Sequence, residues 1–191
     1  MVPEEFRGVW RRRSIAIDGG EPSEPALVLW LQAPEAFADL RIPNSGDTIE
    51  AFAGITTWDP PRLTWHHTID WNGGFAGYDC GDVEWRDGAL IERGTFDDDG
   101  RTRGYEEVWE RVDAGEAFIV LSSDDAIVVN VGTYSLSFRD ARGSGSSFDV
   151  RSARWTPDRQ WHDTYVFGAG ADLPLAPAAS GLPEWHLTES A

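Results

Sequence analysis

The chain has 191 residues, 33 of them acidic and 16 basic, for a formal charge of -17. With 41% apolar and 12% aromatic residues it is too apolar for a disordered chain, and it is long enough for one sizeable core or two small ones. The acidic balance excludes a nucleic-acid backbone binder, which needs a basic stripe, and no apolar run nears the roughly 20 residues that cross a bilayer, so neither nucleic acid nor membrane is an expected partner. Every basic residue is Arg, which rules out Schiff-base and P-loop lysine chemistry. The segment Met1–Phe6 has no basic and apolar signal pattern, and the lone Cys80 has no internal disulfide partner, so the expected address is cytoplasmic.

Apolar and polar residues alternate in short runs broken by Gly, Pro, Asp and Asn, the pattern of β-strands. In chain order the expected strands are Phe6 to Ile17, Ala26 to Gln32, Phe37 to Ile42, Thr48 to Thr57, Arg62 to Trp71, Asp82 to Trp85, Ala89 to Phe96, Arg103 to Val112, Ala117 to Ser122, Ala126 to Asp140, Phe148 to Trp155 and Gln160 to Phe167. Turn-forming stretches such as Asp18-Gly19-Gly20, Asn72-Gly73-Gly74 and Asp97-Asp98-Asp99-Gly100 separate them. No long helix is expected. Many short strands at regular spacing predict an all-β, antiparallel fold of about 8–12 strands with little helix, either a sandwich or an up-and-down barrel. The barrel domain is expected over residues 1–168, as one barrel or two small ones in series; residues 169–191, rich in Ala, Pro and Gly, read as a tail packed on the barrel, with Trp185 placed to pin its end.

Gly8-Val9-Trp10 matches the Gly-x-Trp pattern that opens a lipocalin-type barrel. In that fold an Arg from a late strand stacks over the Trp, and Arg151 or Arg154 is the candidate here; the alternative is a core Trp on an ordinary strand. A longer resemblance runs from about Glu50 to Trp155. Glu50-Ala51-Phe52-Ala53-Gly54, Asp79-Cys80-Gly81-Asp82-Val83-Glu84, Ile91-Glu92-Arg93-Gly94-Thr95-Phe96 and Tyr105-Glu106-Glu107-Val108-Trp109-Glu110-Arg111 together resemble the fungal calycin-like proteins named for interaction with a casein kinase I homologue. The resemblance implies a calycin (lipocalin-like) barrel and carries over no catalytic residue.

The run Arg62 to Trp71 is the most informative. Strict alternation places Leu63, Trp65, His67, Ile69 and Trp71 on one face, with Arg62, Thr64, His66, Thr68 and Asp70 on the other. His67 is then either a core histidine satisfied by a neighbouring hydroxyl or carbonyl, or an imidazole kept neutral by burial and able to bind a ligand or act as a general base. Glu107 is the second catalytic candidate; it shares a face with Tyr105, Trp109 and Arg111, and an inward carboxylate there is expected to pair with Arg111 or keep its proton. The expected ligand-binding set is Trp65, His67, Trp71, Tyr105, Trp109, Trp161 and Tyr165, and the structural set is Gly8, Trp10, Arg151 and Arg154.

No metal or cofactor is expected, because His66 and His67 point to opposite sides of one strand and His162 and His186 are distant in sequence. Asp97, Asp99, Gly100 and Glu106 copy part of a calcium loop, but Thr95 stands at the first ligand position and strands flank the stretch, so a hairpin turn accounts for it better. Hydrolase elbows and zinc-peptidase motifs are lacking. Three functions stay open: a module binding a small hydrophobic or aromatic molecule in an aromatic-lined cavity, a cofactor-independent isomerase or cyclase using His67 or a carboxylate pair in the same cavity, and an acidic module for a protein partner.

Overall fold

The structure is a computed structural model that describes residues 1–46, 48–74, 78–115, 117–158, 160–175 and 186–190, the last stretch through its backbone pairing. Eight strands form a closed barrel: β1 (Gly8–Ile17), β2 (Ala26–Gln32), β3 (Ala36–Pro43), β4 (Glu50–Asp59), β5 (Arg62–Asp70), β6 (Asp79–Arg86), β7 (Ala89–Asp98) and β8 (Arg101–Asp113). Each pairs antiparallel with its neighbour in sequence, and β1 closes on β8. Of the two architectures that the strand spacing leaves open, this is the antiparallel barrel. The β7–β8 hairpin turns on Asp99-Gly100, both at positive φ, as a two-residue turn between right-twisted strands requires. Gly8 sits at the closure with φ +134, and a Cβ there would lie 2.7 Å from the Asp113 carbonyl.

The chain after the barrel forms a six-stranded sheet in the order β13-β12-β11-β10-β9-β14, from β9 (Phe118–Ser122), β10 (Ala126–Val131), β11 (Tyr134–Asp140), β12 (Phe148–Trp155), β13 (Trp161–Phe167) and β14 (His186–Ser190). The run Ala126 to Asp140, read above as one strand, divides into a hairpin at Gly132-Thr133. Within the stretch read as a tail, β14 pairs with β9, while Trp185 lies outside the described residues.

One face of this sheet packs on the outside of β2, β3 and β4. Ala33, Ala36, Ala38, Leu40, Ala51 and Ala53 meet Val120, Val129, Val131, Leu136, Phe138, Phe148 and Val150 there. Small residues on the barrel side let the backbones approach closely, and each fully buried Val or Leu contributes about 1.5–3 kcal/mol. These strands are therefore buried on both faces. Their inward face carries Val28, Trp30, Phe37 and Phe52, which join Trp10, Leu63, Trp65, Val83, Leu90 and Trp109 in a second cluster inside the barrel. The N-terminal segment plugs one end: Val2 and Phe6 are buried, and the Trp10 indole N–H donates to the Phe6 carbonyl at 2.9 Å.

Candidate functional site

Above the Trp cluster the barrel holds a cavity of about 310 Å³. Its walls are aromatic on several sides, from Trp30, Phe37, Phe52, Trp65, Tyr105 and Trp109, and its mouth is rimmed by Ile17, Glu50, Asn72, Tyr78, Thr95 and Phe96. Asp39, Arg41, His67, Asp70, Asp79, Glu92 and Glu107 also line it, so the interior is far more charged than an aromatic pocket requires.

Two β-bulges create this arrangement. On β5, Gly54 pairs with His67 and Ala53 with Ile69, leaving Thr68 as an extra residue. An extra residue reverses the in–out parity of everything beyond it. Ile69 therefore turns outward into the core shared with the sheet, and Asp70, expected on the polar face, turns into the cavity. Gly54 is required at the bulge, since a Cβ there would lie 1.9 Å from the His66 carbonyl. On β1, Arg12 pairs with Trp109 and Ser14 with Val108, so Arg13 is the extra residue; Arg12 is buried and Ile15 and Ile17 line the cavity.

His67 stands with its ring buried between two carboxylates, Nδ1 at 2.6 Å from Asp70 and Nε2 at 2.9 Å from Asp79. It stacks on Phe52 at 4.4 Å, and the Arg41 guanidinium lies 4.8 Å from the same ring. Burial acts to lower the His67 pKa, but the hydrogen bonds and charges of Asp70 and Asp79 overcome it and raise the pKa to about 9. The neutral general base expected from burial alone is therefore corrected: this imidazole is a cation at neutral pH with both nitrogens engaged. Asp70 is fixed in turn from the sheet, where the Arg142 guanidinium donates to the Asp70 carbonyl at 2.6 Å and to the Trp71 carbonyl.

Glu107 pairs with Arg12 at 2.5 Å, and Arg12 also binds Glu24 at 3.0 Å. The expected Glu107–Arg111 pair does not form; Arg111 points away and its guanidinium lies 4.8 Å from the Trp10 ring. Burial raises the Glu107 pKa, offset in part by Arg41 and Arg12. Glu92, directly opposite Glu107 in the β7–β8 register, accepts hydrogen bonds from the Tyr105 hydroxyl at 2.7 Å and the Trp109 indole at 3.1 Å. Burial, then the charge of Glu107, pushes the Glu92 pKa well up. Asp39 pairs with Arg41 at 2.9 Å, and burial raises its pKa as well.

Of the expected ligand-binding residues, Trp65, His67, Tyr105 and Trp109 line the cavity. Trp71 does not: it lies beyond the β5 bulge and packs edge-on against Phe148 and Phe167 of the sheet. Trp161 and Tyr165 belong to β13, outside the barrel, where Trp161 meets Trp155 and Tyr165 packs on the core shared with the barrel. Arg151 and Arg154 lie on β12; Arg151 pairs with Asp163 at 2.7 Å and Arg154 stacks over Tyr134. The barrel is complete at β8, so the Arg over Trp10 comes from β8, as Arg111. Sequence reasoning missed Arg12, Asp39, Arg41, Asp70, Asp79 and Glu92. Phe37, Asp39 and Arg41 alternate with Ala38 and Leu40, a signal readable once both faces of β3 are known to be buried. Among the described residues no cluster of three metal-ligating side chains occurs.

A family model described as Protein HRI1 matches residues 8–189. The uncharacterized protein YLR301w from Saccharomyces cerevisiae, a crystal structure, superimposes with a TM-score of 0.76 at 14% identity, over 96% of this chain and 98% of that one. The match shows a shared fold spanning barrel and sheet alike. A lipocalin-like protein from Bacteroides uniformis aligns with a TM-score of 0.41 at 14% identity, over 56% of this chain and 98% of its own. No curated protein matches the chain.

Proposed function

The chain belongs to the Protein HRI1 family, and within it we propose that this protein binds a small molecule with an apolar or aromatic body in the barrel cavity. One observation carries the reading: the closed barrel keeps a cavity of about 310 Å³ beside its packed Trp cluster, walled by Trp30, Phe37, Phe52, Trp65, Tyr105 and Trp109. The aromatic walls around it supply flat contact surface, and the volume falls at the lower end of the range for small-molecule sites. The raised His67 pKa takes away one of the two bases open to an isomerase or cyclase reading, the other being a carboxylate pair.

The neutral fluorophore N-phenyl-1-naphthylamine tests the reading. Its emission is expected to rise saturably with one site per chain. Ile15→Trp, which fills the cavity from β1, should abolish that rise while leaving the thermal midpoint of unfolding within a few degrees. Absence of a saturable rise, or a rise untouched by Ile15→Trp, contradicts it.

A further inference from the structure

We propose that the molecule bound in the barrel is an organic cation, a small amine on an apolar or aromatic body, whose charge is held by Glu92. This rests on the cavity being a ligand site and adds the chemical class of the ligand.

With every carboxylate ionised, the charges inside the barrel do not balance without one; otherwise burial and the charge of Glu107 favour the protonated form of Glu92. Asp39 has Arg41, and Glu107 shares Arg12 with Glu24. A single imidazolium, His67, serves both Asp70 and Asp79. Glu92 is left with two neutral donors, Tyr105 and Trp109, and forms no ion pair among the described residues, although it is 5% exposed and faces a second carboxylate across the β7–β8 pair. A buried carboxylate in this position is costly, and an apolar residue of similar volume would be tolerated better.

The surrounding backbone nevertheless makes room for it. A Cβ on Gly81 would lie 2.5 Å from Glu92 Cγ, and a Cβ on Gly94 would lie 2.4 Å from the Tyr105 hydroxyl. Both glycines sit inside strands, where a missing side chain weakens the sheet and marks a close approach. So the Glu92–Tyr105 pair is accommodated at two positions at once. A ligand ammonium beside Glu92 supplies the missing positive charge in a site walled by Trp30, Trp65 and Trp109, whose ring faces also attract cations. A metal ion is a poorer fit, because both Glu92 oxygens already accept hydrogen bonds and no further ligand set is present among the described residues.

Three probes that share one 4-hydroxyphenylethyl body separate the contribution of the end charge: tyramine, the neutral 4-ethylphenol, and the anionic 3-(4-hydroxyphenyl)propionate. Titration calorimetry of the full chain at pH 7 should show tyramine binding at least tenfold more tightly than 4-ethylphenol, with the propionate weakest. Glu92→Gln, which keeps an acceptor for Tyr105 or Trp109, should weaken tyramine at least tenfold and leave 4-ethylphenol within twofold. Equal affinity for tyramine and 4-ethylphenol, preference for the anion, or no binding of tyramine overturns the cation assignment; the three-probe series needs no variant, so a misfolded Glu92→Gln does not protect it. N-phenyl-1-naphthylamine binding alongside such a failure would leave the ligand-site reading standing, and its loss would remove both.

Discussion

The two halves of the barrel interior are built on opposite terms. Around Trp10 the interior is dry and stacked: Trp10 lies 5.8 Å from Trp30, Trp30 meets Trp65 and Trp109 edge-on at 5.6 and 5.5 Å, and the Trp10 N–H is satisfied by Phe6. Beyond Trp30 the same strands turn Arg12, Asp39, Glu92, Glu107 and Asp70 inward. The first half gains free energy from every residue it buries. The second spends part of that gain on desolvated charge, which a barrel selected for stability alone would replace with aliphatic side chains. Trp30 belongs to both halves, with its ring in the stack and its N–H unpaired.

The largest effect should come from the stacked half. Trp10→Ala should cost about 3–5 kcal/mol, as for other buried large aromatics, read as a lowered denaturant midpoint. Arg12→Met tests the charged half: it strands Glu107 and Glu24, but Glu107 can take up a proton, so we expect a loss of about 3 kcal/mol. Adding Glu107→Leu should recover part of that loss, whereas an additive double variant would mean that the pair does not interact.

Next in size is a pH effect confined to the charged half. The folded-state pKa of His67 is raised from 6.5 to about 9, so its contribution is fully present below pH 6.5 and fades as pH rises through about 9. Stability should fall by on the order of 2 kcal/mol over that interval, and His67→Asn should flatten the slope. A wild-type curve level from pH 6 to 10 would show that the imidazole is not held between Asp70 and Asp79. The smallest effect is at the closed end, where Arg111→Lys loses planar stacking on Trp10 and should cost about 0.5–2 kcal/mol, while Arg151→Lys and Arg154→Lys leave the barrel end unaffected.

Much of the stacked half was legible in the sequence. Gly8-Val9-Trp10 and the alternation through Trp65 fix residues whose neighbours keep a period of two. The charged half was less so, because Thr68 and Arg13 interrupt that period and send Asp70, Ile15 and Ile17 to faces that simple alternation denies them. A bulge is a property of two paired strands, so one strand's sequence does not announce it, although Gly54 opposite His67 marks the place in retrospect. Trp71, Trp161 and Tyr165 were misplaced for a related reason: aromatic residues that pack a sheet against a barrel have the same alternation as those that line its interior. Burial of His67 suggested a lowered pKa, and only the through-space neighbours Asp70 and Asp79 reverse the sign.

The central claim is that the half of the barrel beyond Trp30 is a ligand site and the half below it is not. The indole N–H resonances report both halves in one proton–nitrogen correlation spectrum. On addition of tyramine, the Trp30 resonance should shift because its ring lines the cavity and that of Trp109 should shift with Glu92, while the Trp10 resonance, already bonded to the Phe6 carbonyl, stays in place. A spectrum in which no indole moves, or in which Trp10 moves and Trp30 does not, would contradict the account.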